Sequence, residues 1–303
     1  MMQQFQLEKA APRLDIFLAT ASGLSRGKIR KIIDFGGAHV DGRRVRRLSC
    51  PLRAGQKVEL FLDDHPLTPF RLSEEHIVFE DSNLIVINKP AGVLTQPTPA
   101  RLKGTLFEAL EHHLRQQGIH KPSIGMHQRL DVSTTGLLTF SIHEMAHKNL
   151  AQQAAEHALQ RTYLALVDGK PEPASGTIHT QIVRRNKRTI SVESGGKEAI
   201  THYELIQEIA EPEGGSFSLL RIHLETGRSH QIRAHLSEQN HPLLGDSFYG
   251  GKMSAAGQQF TRPLLHSSRL ELHHPVSHEE LRFEVPLPAD LAALLPSSPE
   301  QQR

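Results

Sequence analysis

The chain has 303 residues, enough for about two domains and a sizeable core, and its 38% hydrophobic and 22% charged residues exclude a disordered or fibrous chain. No apolar run approaches the ~18 residues that cross a bilayer, the start MMQQFQLEKAAPRLD lacks the basic-then-apolar layout of a secretory leader, and a single cysteine, Cys50, excludes an internal disulfide and is a poor start for a thiolate metal site; these features point to the cytoplasm. The net charge of +2 conceals an asymmetry, with 12 Lys and Arg against 4 Asp and Glu in residues 1–57, so this end suits a polyanion, although charge alone leaves a plain solvated face equally open.

Residues 12–62 read as a small separate module. Arg13–Thr20 has helical spacing. Ser25 predicts an N-cap for a helix over RGKIRKIIDF, in which Ile29, Ile32 and Ile33 share a face, and Gly36-Gly37 ends it. Asp41-Gly42 predicts a hairpin turn, and LRAGQKVELFL closes the module as a strand. Arg26, Lys28, Arg30 and Lys31 crowd the polar side of the helix, and Arg43 and Arg44 follow the turn. Residues 63–73, DDHPLTPFRLS, read as a linker. IVFEDSNLIVINKPAG reads as strand, turn, strand about Asp81-Ser82-Asn83. Thr105 caps a helix over LFEALEHHLRQQ, GLLTFS is a strand, and HEMAHKNLAQQAAEHAL is an amphipathic helix. Strands follow at RTYLALVDG, RTISVES, KEAITHYELI and SFSLLRIHLE. Ser229 precedes a helix over HQIRAHLSEQ, LRFEVPL is the last strand, and residues 293–303 read as a flexible tail. Strands in series with few helices between them predict an α+β fold with a mixed or antiparallel sheet over residues 74–292.

The densest chemistry lies in HQRLDVSTTGLLTFS. Asp131 stands in a Ser/Thr-rich turn that opens into an apolar strand, where a rigid sheet presents a loop residue. Arg129, two residues earlier, falls on the same face of an extended chain. The pentapeptide alone favours an Asx-turn, with Asp131 bonding the backbone near Ser133. The 20 histidines invite a metal, but His112-His113 and His273-His274 are adjacent pairs whose side chains diverge, and no His-Glu-x-x-His or facial-triad spacing occurs. Gly-rich phosphate loops are missing from the sequence as well.

His127–Ser141 resembles the signature of RluA-type pseudouridine synthases, usually His-Arg-Leu-Asp, two residues, then Thr-Ser-Gly-Leu-Leu. Arg129, Leu130, Asp131, Thr134, Gly136, Leu137 and Leu138 match; Gln128 stands where the family usually has His, and Thr135 where it usually has Ser. Further family segments are matched in order by Asn88-Lys89-Pro90-Ala91-Gly92, by Arg161-Thr162-Tyr163-Leu164-Ala165-Leu166-Val167, by Glu225 to Arg233 with His241-Pro242, Gly245-Asp246 and Tyr249-Gly250, and by Leu264-Leu265-His266 with His274-Pro275. RLDIFLATASGLSRGKIRKIIDFGGAHVDGRRV followed by LRAGQKVEL resembles the S-four-type RNA-binding domain. Together these resemblances run from about residue 12 to about residue 290.

The resemblance implies an RNA-gripping N-terminal module and a catalytic domain on a bent, mostly antiparallel mixed sheet with flanking helices and a central cleft. It implies that the N-glycosidic bond of a uridine breaks, the uracil turns while held, and a carbon–carbon bond forms through base carbon 5, with no cofactor and no metal required. Asp131 is the implied reacting carboxylate, by attack on ribose carbon 1 or removal of the 2′ proton, and Arg233 its bidentate partner. Tyr163 is the implied stacking ring, with a hydroxyl that helps remove the carbon 5 proton. Arg129 and Arg228 join Arg26, Lys28, Arg30, Lys31, Arg43 and Arg44 as expected RNA contacts. The implied partner is structured RNA, ribosomal RNA first and transfer RNA second, whose uridine leaves its stack; a monomer with no membrane association is expected. A non-catalytic RNA-binding or ribosome-assembly factor with the same fold is the alternative, and the joint presence of Asp131, Arg233 and Tyr163 counts against it.

Overall fold

The computed structural model describes residues 1–212 and 214–296. The chain divides into two compact units, Met1–Ser73 with Gly92–Pro122, and Glu74–Ala91 with the chain from Ser123 onward. Among the described helices none is long and apolar enough to cross a membrane.

The first unit contains β1 (Met2–Gln6), α1 (Leu14–Ser22), α2 (Arg26–Phe35), β2 (Ala38–Val40), β3 (Arg43–Arg44) and β4 (Lys57–Phe61). Its strands form an antiparallel sheet in the order β1-β4-β2-β3. Ser25 caps α2 by accepting the Lys28 N–H at 3.3 Å, and Gly36, in the left-handed region, ends it. Ile29, Ile32 and Ile33 on the apolar face of α2 pack with Leu14, Leu18, Val58 and Leu60. Asp41 and Gly42 take positive φ as a primed hairpin turn demands.

Two features of this unit differ from the sequence expectation. The strand β1 precedes residue 12; MQQFQ offers only short polar alternation. The segment beginning at Asp63 is also tied down: Arg101, 1% exposed, donates Nε to Asp63 at 2.7 Å and Nη2 to the carbonyls of His65 and Pro66. The Leu102 N–H donates to the Phe35 carbonyl at 2.7 Å. These bonds draw Gly92–Pro122, with α3 (Leu106–Gln116) capped by Thr105, into the first unit rather than the second.

Asp15 is the electrostatic centre of this unit. Its buried carboxylate accepts Nε–H bonds from Arg13 at 2.9 Å, Arg26 at 3.1 Å and Arg30 at 3.2 Å.

The second unit contains β5 (Ile77–Glu80), β6 (Leu84–Lys89), β7 (Gly125–Met126), β8 (Thr135–Ser141), α4 (Glu144–Ala155), β9 (Gln160–Asp168), β10 (Ser175–Arg185), β11 (Arg188–Val192), β12 (Lys197–Ala210), β13 (Ser216–Leu224), α5 (Gln231–Glu238), a small hairpin of β14 (Ser254–Ala255) and β15 (Gln258–Gln259), β16 (Leu265–His273), β17 (Glu280–Glu284) and α6 (Ala289–Ala292). The main sheet runs β11-β10-β12-β13-β9-β16-β8-β6-β5, with β17 on β16 and β7 on β8. It is antiparallel except for β16 against β8, where Ser267 faces Gly136. That pair sits at the root of the Asp131 loop. Gly136 has φ +109, and a Cβ there would lie 2.2 Å from the Ser267 carbonyl oxygen, so only glycine allows the approach. Neither β10 nor β16 was among the expected strands. Within the expected flexible tail from residue 293, Leu294 is instead buried in a core with Leu291, Phe217 and Leu264; the rest of that tail, residues 297–303, lies outside the described residues.

Hydrogen bonds from Arg13 hold the Asp15 carboxyl well below its ordinary value of 3.8, against burial and with help from Arg30 and Arg26. A depressed carboxylate contributes stability that is fully present above the unfolded-state value and is lost as pH falls. Asp15→Asn should destabilise the first unit by about 1–3 kcal/mol near neutral pH, discounted for the half-exposed arginines. Thermal melts from pH 7 down to pH 2 should show the difference between wild type and variant shrinking below about pH 4; a constant difference would refute the hub.

Candidate active site

Residues 127–134 link β7 to β8. The Asp131 carbonyl accepts the Thr134 N–H at 3.1 Å and closes a tight backbone turn. The carboxylate meets Arg233 rather than the backbone near Ser133, so the Asx-turn reading gives way. Two buried cations hold the loop from below. Lys89, at the end of β6, donates Nζ to the carbonyls of Val132 at 3.2 Å and Pro90 at 2.9 Å. Arg262 donates Nη1 to the Ser133 carbonyl at 3.1 Å, with Nε and Nη2 on Asp290 at 2.7 and 2.8 Å. Burial pushes the Lys89 ammonium down to about 7 against the pull of Asp131, and Arg262 adds to the depression.

The helix α5 starts at Gln231, with His230 before it in the left-handed region at φ 54. Gln231 anchors this end: its Oε1 accepts from the Thr226 hydroxyl and the Arg228 N–H, and its Nε2 donates to Ile200 and Thr201 of β12. Arg233 then faces two carboxylates. Its Nε and Nη2 form a bidentate pair with Asp246 at 2.7 and 2.9 Å, and Nη1 alone reaches Asp131 Oδ2 at 3.3 Å. The bidentate partner is therefore Asp246, not Asp131 as expected, because the Nε edge of the fork is turned to the buried carboxylate. Burial opposes the Arg233 charge, but Asp246 and then Asp131 outweigh it and raise its pKa. The guanidinium carbon also lies 5.0 Å from the centre of the Tyr249 ring.

Asp131, Tyr163, Arg233, Arg129 and Arg228 line one cleft. Tyr163 lies in β9 opposite Ser267 and Ile222 and is 3% exposed. Burial raises its phenol pKa, against the Arg161 charge. Arg129 donates Nη2 to the Ser229 hydroxyl, and Arg228 donates Nε to the Glu198 carbonyl at 3.1 Å. The other expected RNA contacts belong to the first unit. Lys28, Lys31 and Arg43 are exposed, Arg26 and Arg30 share Asp15, and Arg44 donates to the Thr98 carbonyl, with burial lowering its pKa. Thr135 bonds His266 Nδ1 at 2.8 Å, and Gln128 is buried with Nε2 unpartnered. Among the described residues no three His, Cys, Asp or Glu side chains gather as metal ligands.

Sequence reasoning assigned no role to Lys89, Arg161, His230 or Asp246, although each stood in a segment singled out above. The signal was present in Asn88-Lys89-Pro90 and Gly245-Asp246; what was missing was the pairing across distant segments.

A family model described as RNA pseudouridylate synthase matches residues 83–238. An uncharacterized RNA pseudouridine synthase of Aquifex aeolicus is 33% identical over 94% of this chain and 93% of its own length. The ribosomal large subunit pseudouridine synthase D of Zymomonas mobilis is 34% identical over 93% of this chain and 92% of its own length. In fold, the chain is similar to human RNA Pseudouridylate Synthase Domain Containing 4, with a TM-score of 0.58 and 22% identity over 72% of this chain and 90% of that one. With the matched segment carrying the loop, strands and helix that build the Asp131 cleft, this chain belongs to the RNA pseudouridine synthases, which are isomerases.

Proposed function

We propose that this pseudouridine synthase isomerises uridines of structured ribosomal RNA, with Asp131 as the catalytic carboxylate, Arg233 as the cation that orients it, and Tyr163 as the ring that receives the base. The observation that carries the reading is the Asp131–Arg233–Asp246 array at the cleft. Attack on ribose carbon 1 and removal of the 2′ proton both require an ionised carboxylate. Once a nucleotide displaces water from the cleft, desolvation favours the neutral acid, and a guanidinium in hydrogen-bond contact opposes it. Ribosomal RNA is favoured over transfer RNA by the large-subunit synthases among the relatives, with the cytoplasm as the place of action.

The first unit is proposed as the RNA grip, in the manner of an S-four-type domain. Exposed Lys28, Lys31 and Arg43 meet phosphates there, while Arg129 and Arg228 meet phosphates beside the target uridine.

Pseudouridine mapping on unmodified ribosomal and transfer RNA tests the assignment. Wild type should modify ribosomal RNA, and Asp131→Asn should lose turnover by more than about 10³-fold while still binding; an active Asp131→Asn protein would sink it. Asp246→Asn should lower kcat by about 10²-fold with KM little changed, because a freed guanidinium no longer holds Asp131 in place; single-turnover kinetics would register this, and wild-type rates would remove Asp246 from the array. Replacing Lys28, Lys31 and Arg43 together by Ala should weaken binding to all RNAs and shrink the log–log salt slope by about 2 to 3. A filter-binding titration from low to high salt reads the slope, and an unchanged one would exclude these residues from the interface.

A further inference from the structure

The Asp131 cleft opens onto a second cavity. A wall of Arg129, Gly227, Arg228 and Ser229 is common to both, and the second cavity measures about 430 Å³. Residues of β10, β11 and the start of β12 enclose it. Ile182, Val183, Gly195 and Gly196 give it an apolar side. Arg184 and Lys197 add their charges to those of Arg129 and Arg228, and among the described residues no carboxylate lines it.

The walls are tied to the catalytic cleft. Asn186 and Lys187 take positive φ of 46 and 71 in a two-residue turn, and Arg185 pairs with Arg188, so β10 and β11 form a tight hairpin. Thr189 of this hairpin donates its hydroxyl to the Ser229 carbonyl at 2.7 Å and its N–H to the Tyr249 hydroxyl at 2.8 Å. Ser191 donates its N–H to Glu238 of α5 at 2.8 Å. The Arg188 guanidinium lies 4.9 Å from the centre of the Phe248 ring. On the apolar side the Gly196 N–H donates to Gln181 Oε1 at 3.0 Å, and a Cβ on Gly196 would come within 2.9 Å of the Ile182 backbone, so glycine permits this close approach.

We propose that this cavity holds one nucleotide adjoining the target uridine in the RNA chain, with its base on the apolar side and the connecting phosphate at Arg129 and Arg228. The proposal rests on the reading of the Asp131 cleft as the uridine site. Volume and lining choose the occupant. Pockets of about 300–1,000 Å³ take a small organic ligand. A phosphate alone displaces only a few waters of about 30 Å³ each, and it would leave the apolar side wet. Four cations without a carboxylate call for an anion. Two compartments that share a wall with two arginines fit two flat groups joined by a phosphate, which is a dinucleotide step of RNA. The two bases cannot stay stacked on each other in separate compartments. The neighbour therefore leaves its stack together with the target, as bases in loops and single strands can.

The test removes the neighbouring base. On a short loop RNA that the wild type modifies, an abasic ribose is placed beside the target, on the 5′ side in one RNA and on the 3′ side in another. On one of the two sides it should lower kcat/KM by about 10-fold, the lower end of what one held base contributes. Val183→Phe, which suits a strand, should fill the cavity. It should cost about 10-fold on the intact RNA and nothing further on that abasic RNA. Any effect of the missing base on the RNA itself is common to both proteins and cancels. Arg184→Ala should cost about 5-fold on the intact RNA. Arg185→Ala removes the same charge from the same hairpin, outside the cavity lining and at an equally exposed position, and should cost less than about 2-fold. Abasic RNAs that cost nothing, or that cost wild type and a Val183→Phe protein of equal melting temperature alike, would overturn the proposal while leaving Asp131 in place. Equal losses from Arg184→Ala and Arg185→Ala would do the same. Wild-type protein that forms no pseudouridine would overturn the underlying reading and this one with it.

Discussion

The division of the Arg233 fork is the constraint on which the site depends. One edge is spent on buried Asp246, so the guanidinium arrives at the cleft already oriented and offers Asp131 a single N–H. A bidentate grip on Asp131 would occupy both carboxylate oxygens and leave the proposed nucleophile or base without a free one. The array requires α5 to be immobile at its first turn. Gln231 supplies this by bonding β12 and the preceding loop at once, and His235 adds a bond from Nδ1 to Thr201, one turn further on. His230, in the left-handed region, sits where the helix begins and on the wall of the cleft.

What could be read from the sequence was whatever had periodicity, turn chemistry or a local motif. The apolar face of α2, its Ser25 cap and the Asp41-Gly42 turn are all local, and all appear where expected. Asp131, Arg233 and Tyr163 were legible as motif residues. The central strand β16 was not. LHSSRLELH buries His266, Ser267 and Ser268, which hydropathy reads as surface residues. Each makes a hydrogen bond there: His266 Nδ1 with Thr135, Ser267 to the Leu137 carbonyl and Ser268 to the Thr162 carbonyl, while His266 Nε2 is buried without a partner. The assignment of Gly92–Pro122 to the first unit was hidden for the same reason, because Arg101 and Asp63 meet across a long stretch of chain that carries no shared period. The identity of the carboxylate that takes the Arg233 fork was beyond any local pattern.

The first unit shows how a basic surface can be built around an anion. Three arginines share one buried carboxylate, so the group keeps a net positive charge while its guanidiniums are held in fixed directions. Surface ion pairs contribute little individually, but a common buried acceptor orders side chains that would otherwise lose conformational entropy on meeting a phosphate. Lys28, Lys31 and Arg43 lack that ordering and contribute charge rather than direction.

The same accounting of charge applies to the cleft. Arg129, Arg161, Arg228 and Arg233 surround one carboxylate, so the wall is net positive before RNA arrives. Breaking the N-glycosidic bond leaves the uracil with the bonding electron pair, and a fixed cationic wall stabilises that anion without reorganising. In the proposed reaction Asp131 loses its own charge at the same stage, by bonding to the sugar or by taking its 2′ proton. Lys89 beneath the loop is held near 7 partly by the pull of that charge, opposed by burial and Arg262. The positive potential that meets the uracil anion is the property of the arginines on the wall.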